Sequence, residues 1–208
     1  MSTSSTDRPT EWYAYDVAEN PQDPFGYPRF VVSVERQRLV DVLLNLMTTL
    51  REPLDIYLTV SQLFEKSRRD VREEIETSVL QSALREAEDL LLDDNCLTLN
   101  ISSSKKEDED SGFQISFSNP ETGEILGGSE YNPYDEIVLR EHKIIECYHE
   151  VQGFRARLQA AFHRNNIKLQ KEIFWPEHVE RERKQSHENA ETYMQLCRRI
   201  GAEQESEW

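Results

Sequence analysis

The sequence predicts an α+β domain: a mixed, antiparallel-leaning sheet of about five to six strands, with amphipathic helices packed on one face. Three observations carry that expectation. Segments such as LDIYLTVS and GFQISFS alternate apolar and polar residues, the period of a half-buried strand. Other stretches repeat apolar residues at three- and four-residue spacing, the period of a helix with one apolar stripe. The two kinds of segment interleave without an internal repeat, and 37% apolar residues in 208 suffice to bury one core.

Residues 1–28 read as an irregular N-terminal segment, because EWYAYDVAENPQDPFGYP carries three prolines and neither period. Its aromatics, Trp12, Tyr13 and Tyr15 among them, are unusual for a solvated tail and are candidates for contact with the domain or a partner. Order is expected to begin at RFVVSV, a short strand. A helix follows from about Glu35 to Arg51, with Leu39, Leu43, Leu46 and Leu50 on one stripe, and Pro53 stops it. Leu54, Ile56, Leu58 and Val60 then mark the buried face of a strand. From Ser67 to Leu92 the Glu- and Arg-rich sequence reads as one long helix. CLTLNIS and GFQISFS are two more strands joined by the polar loop SSSKKEDEDS, and a short strand is expected near Ile125 and Leu126.

Residues 135–139 fit either a final strand or the first turn of the next helix, which runs to about Arg164 and closes at Asn165-Asn166. IKLQKEIFW alternates as a strand, and PEHVERERKQ is a charged connector. A last helix begins near Ser186, buries Tyr193, Met194 and Cys197, and ends at Gly201. Residues 29–201 are thus expected to form the domain and 202–208 an acidic tail.

The net charge of −16 is concentrated in the segments expected to be irregular. Residues 1–28 carry −4, 102–111 carry −2, 119–136 carry −5 and 202–208 carry −3, which leaves about −2 for everything else. Acid placed in loops and ends favours solubility at little cost in self-repulsion. Nucleic-acid binding is disfavoured, because phosphate contacts need a basic footprint. No run approaches eighteen apolar residues, so no membrane span is expected. The first residues have neither a basic n-region nor an apolar h-region, and Cys96, Cys147 and Cys197 form no CxxC pair. A cytoplasmic protein with free thiols is the expectation.

One stretch, EHKIIECYHE, invites a chemical reading. On a helix, His142, Glu146 and His149 share one face and offer three metal ligands. That face lies opposite the apolar stripe of Ile144, Tyr148, Val151, Leu158 and Phe162, so the favoured reading is a solvated surface and no bound cofactor. Arg155 falls within the apolar stripe itself. A charge there extends to the rim of the core or grips an anionic ligand with its fork of donors. With Arg157, Arg164, Lys168 and Lys171 it makes residues 153–171 positive by five with no acid, a surface suited to an acidic partner or to the protein's own acidic loops. Phosphate loops, nucleophile elbows and zinc-protease signatures are absent from the sequence. The expected function is therefore a non-enzymatic, adaptor- or inhibitor-like protein-interaction domain, with a protein partner or self-association. The alternative is an enzyme or small-ligand binder built around Arg155, with a metal on the His142/Glu146/His149 face.

Overall fold

The computed structural model describes residues 11–20, 23–60, 64, 67–93, 97–103, 113–118, 125–131, 135–140, 142–149, 152–173 and 187–205. The chain opens with a hairpin, β1 (Trp12–Asn20) and β2 (Asp23–Ser33). A 3₁₀ turn leads into α1 (Leu39–Met47), and then β3 (Leu54–Val60) and β4 (Arg68–Ile75) pair antiparallel. Two consecutive helices follow, α2 (Thr77–Glu86) and α3 (Glu88–Leu92). Five strands come next: β5 (Leu97–Ser103), β6 (Phe113–Ser118), β7 (Ile125–Tyr131), β8 (Asp135–Leu139) and β9 (Ile145–His149). The remainder is α4 (Gln152–Arg164), β10 (Lys168–Leu169), α5 (His187–Ile200) and β11 (Glu203–Gln204).

Among the described residues, nine strands form one mixed sheet in the order β10-β1-β2-β9-β8-β5-β3-β4-β11, while β6 and β7 pair separately. Every pairing in the large sheet is antiparallel except β1 with β10. The α+β class and the mixed sheet are as expected; the strand number is larger, for three reasons. Of the residues read as irregular, 12–20 and 23–28 belong to a paired hairpin, with Trp12 opposite Ser33 and Asp16 opposite Arg29, while 1–10 and 21–22 lie outside the described residues. Aromatics on both faces of β1 conceal its alternation, and Pro24 and Pro28 fall within β2, where prolines argue against a strand. The segment RRDVREEI is strand β4 and not the start of a helix, because pairing with β3 overrides the helical preference of Arg and Glu. Residues 145–149 are likewise a strand, and the helix begins only at Gln152.

Three further expectations are modified. Among the described residues IKLQKEIFW contributes only the two residues of β10, and the acidic tail includes β11, paired to β4. Residues 135–139 are strand. The polar loop after Ser103, the turn 119–124, the charged connector and Cys96 lie outside the described residues. Among the described residues, no helix is long and apolar enough to cross a membrane.

Paired residues in a sheet share a face, so the register separates the two sides. Phe30, Val32, Ile56, Leu58, Leu99, Ile101, Ile137 and Ile145 pack with buried residues of all five helices in one core. On the opposite face Trp12, Ala14, Val31 and Ile144 form a smaller cluster, with Ile173 against it. Both long C-terminal helices end as the sequence suggests. Asn166 (φ 58) follows α4 and Gly201 (φ 69) follows α5, and the next amides, Ile167 and Ala202, donate back to Phe162 and Cys197 at 3.0 and 2.8 Å.

Helix α5 is fastened to β4 by a buried charge. Asp70 is fully buried on the helix side of the sheet, opposite Leu58. Arg68 donates to its carboxylate through Nε (2.6 Å) and Nη2 (2.7 Å), and the Tyr193 hydroxyl donates at 2.6 Å. Burial and this hydrogen bond push the Tyr193 hydroxyl far above the usual tyrosine range. Burial, with the charge of Asp70 beside it, pushes the Cys197 thiol up to about 11. Asp70→Ala strands Arg68 and the tyrosine hydroxyl and is expected to destabilise the fold by about 3–5 kcal/mol in urea titrations. Tyr193→Phe keeps the ion pair and is expected to cost only about 1–2 kcal/mol.

Candidate functional site

Strand β9 is short and buried along its whole length, and its two faces meet different chemistry. Ile145, Cys147 and His149 point toward the helices, while Glu146 and Tyr148 point to the opposite face. His142 lies in the β8–β9 turn and is exposed. The three residues read as one metal-ligating face are therefore not brought together: a two-residue period, not a helical one, governs Glu146 and His149. Among the described residues no group of three or more His, Cys, Asp and Glu is placed to hold a metal ion.

Glu146 sits instead in a network of charges. Arg29 Nη1 donates to its Oε1 at 2.8 Å, Arg140 Nε donates to its Oε2 at 2.7 Å, and the Tyr148 hydroxyl donates to the same oxygen at 2.9 Å. Arg29 also donates to Asp16 Oδ2 through Nε (3.0 Å) and Nη2 (2.8 Å), so one guanidinium joins β1 to β9. Burial opposes the charge of Arg29, but Asp16 and Glu146 more than offset it, and its pKa is raised; Arg140 is raised likewise beside Glu146. Burial raises Tyr148, with Glu146 adding to it. On the same face, burial raises Glu136 against the hydrogen bond from Asn100 (2.9 Å).

On the helix side, rings gather around His149. Phe30 lies 4.6 Å and Tyr15 5.9 Å from it, centroid to centroid. Phe30 also meets Tyr13 and Phe162 edge-on at 5.5 and 5.4 Å, and Tyr13 lies 4.4 Å from Phe162. These contacts seat α4 along β1. Arg155, the charge that the sequence places among apolar residues, lies over the rings of Tyr15 (5.1 Å) and Phe30 (5.8 Å) with its head exposed.

The other predicted contacts are distributed as follows. Trp12 is buried and Tyr13 is packed against the core, so both serve the fold; Tyr15 remains 46% exposed. Arg157 turns to Thr49 O (2.8 Å) and to Asp135 (3.6 Å). Arg164, Lys168 and Lys171 are exposed. The sequence reading missed Arg29, Arg140 and Phe30. Arg29 and Phe30 belong to the strand whose length was underestimated, and nothing in the sequence marks Arg140 as a partner of Glu146.

These elements define an edge. Strand β10 pairs with β1 only at Trp12 and Tyr13, so past Tyr13 the outer edge of β1 has no strand beside it among the described residues. The amide of Gln170 donates to Tyr13 O at 2.8 Å, so the backbone groups of Tyr13 face outward. By the same alternation those of Tyr15 and Val17 face outward too. Helix α4 flanks this edge, and an open groove of about 360 Å³ at its start is lined by Tyr13, His163, Asn166, Ile167, Lys168 and Leu169. Leu169 is 62% exposed.

No protein-family model, curated protein or solved structure matches the chain.

His149 supplies a pH test of this arrangement. Burial, with the charge of Arg155 beside it, holds its pKa below the ordinary 6.5, and a hydrogen bond with its own backbone opposes the shift only in part. Facing it are Tyr15 and Phe30 from the hairpin, Arg155 from α4, and Asp135 as its cross-strand partner, itself beside Arg157. The unfolded chain thus binds a proton more readily than the folded one. The His149 contribution to stability is complete above about pH 6.5 and declines as pH falls below it. Urea midpoints between about pH 7.5 and 5.5 are expected to fall in the wild type, and to fall less in His149→Phe.

Proposed function

We propose that this chain is a non-enzymatic, intracellular protein-interaction domain that recognises its partner along the outer edge of β1. One observation carries the reading: past Tyr13 the edge strand turns backbone donors and acceptors outward with no strand beside it among the described residues. Such an edge is a template for an incoming extended segment, which gains main-chain hydrogen bonds from it. Tyr15 and Leu169 add exposed apolar surface at the same place. Arg155 is an exposed residue that packs over two rings along this edge, which favours a docking surface over a small-ligand site. The two buried free thiols, Cys147 and Cys197, suit a reducing compartment.

Crosslinking tests the proposal. A photoreactive amino acid replaces Tyr15 in the full chain expressed in its native cells, and a control carries the same group at Val79, exposed on α2. Val17→Pro removes one outward amide while leaving the β1–β2 ladder intact. A discrete protein adduct from position 15, absent from position 79 and reduced about tenfold by Val17→Pro, is the expected result. Identical adducts from both positions, or an adduct indifferent to Val17→Pro, would contradict edge recognition.

A further inference from the structure

The edge described above has a distinctive electrostatic border. On the helix side, Arg155 stands over Tyr15, the residue with outward backbone groups just past the end of β10. His163 and Lys168 line the groove at the start of the edge, and Lys171 follows Gln170, whose amide makes the final bond to β1. Residues 153–171 contain five Lys and Arg and no acid. The nearest carboxylate described on β1 itself, Asp16, receives two hydrogen bonds from Arg29 on the opposite face. Glu11, just before β1, is paired with Arg38, and charges separated by more than about 8 Å at physiological salt are largely screened from one another. The helix-side border of the edge therefore presents cations although the molecule as a whole is negative.

Strand addition converts that field into a sequence preference. An incoming strand paired with β1 alternates its side chains between the two faces of the sheet. Every second residue lands on the α4 side, beside Tyr15 and Arg155, where a carboxylate meets the guanidinium and a cation is repelled. The intervening residues fall on the face of Trp12, Ala14 and Ile173, where apolar side chains are favoured.

We infer that the partner segment is an extended peptide alternating acidic and apolar residues, which adds to β1 with its carboxylates toward α4. This rests on the edge-recognition reading and specifies its partner.

Two fluorescein-labelled peptides test it, one alternating valine with glutamate and the other valine with lysine, by fluorescence anisotropy on the full chain. An acidic protein attracts a cationic peptide nonspecifically, so the quantity read is the part of binding that Val17→Pro abolishes. Edge binding is expected for the glutamate peptide alone. It should weaken as salt rises and weaken at least about tenfold in Arg155→Glu, with the uncharged Arg155→Gln intermediate. Circular dichroism confirms that each variant is folded. Edge binding shared by both peptides, or confined to the lysine peptide, overturns the acidic-partner inference while leaving edge recognition standing. No edge binding by either peptide also overturns it, and the crosslink at position 15 reports separately on whether the edge is used at all.

Discussion

The position of the β1 edge depends on one carboxylate. Glu146, buried in the middle of β9, takes hydrogen bonds from Arg29, Arg140 and Tyr148, and Arg29 carries the connection on to Asp16 in β1. The N-terminal hairpin is thereby fixed to the sheet by charge on one face and by the Trp12–Ala14–Val31–Ile144 cluster beside it. A buried carboxylate of this kind is costly to desolvate, and its partners offset that cost only while all of them are in place. Its value to this fold is geometric. Of the three donors Arg29 alone lies on β2, and its bonds to both Glu146 and Asp16 fit the observed register of β2 on β9, which places β1 outermost but for two residues of β10.

The opposite face of the same strand does complementary work. His149 and Phe30 form the floor on which Tyr13, Tyr15 and Phe162 pack, and that packing lays α4 along the edge. Arg155 is carried there by a helix whose inner residues, Phe154, Leu158, Ala161 and Phe162, are buried. A cation over an aromatic face keeps most of its hydration and loses little by waiting there for a carboxylate. The basic border is thus built on a rigid helix and not on a loop, which is what directional recognition of an extended segment requires.

Much of the sheet was legible in the sequence because its strands are half-buried. β3 and β5 alternate buried and partly buried residues, and each was placed to within a residue of its ends. The α4 and α5 termini were legible through Asn166 and Gly201, which adopt the left-handed conformation that closes a helix. What failed did so for identifiable reasons. β9 is buried on both faces and places Glu146 and His149 among its five residues, so its sequence lacks the apolar–polar alternation that marks a half-buried strand. The misreading set Glu146 and His149 on one face when the strand divides them. β4 is a charge-rich strand next to the sheet edge, where pairing, not composition, decides the conformation. Arg155 was legible as an anomaly, a charge among apolar residues. Its ring partners were not, because Tyr15 and Phe30 come from a hairpin more than a hundred residues earlier in the chain.

The central claim is that the outer edge of β1 is open past Tyr13 and available for pairing. Amide hydrogen exchange of the isolated chain, read residue by residue by NMR, addresses it directly. The account predicts slow exchange at Ala14 and Asp16, whose amides face β2, and fast exchange at Tyr15 and Val17, whose amides face outward. Exchange at Tyr15 and Val17 as slow as at the central strands would mean that the edge is already covered within the protein, and recognition by strand addition there would be ruled out.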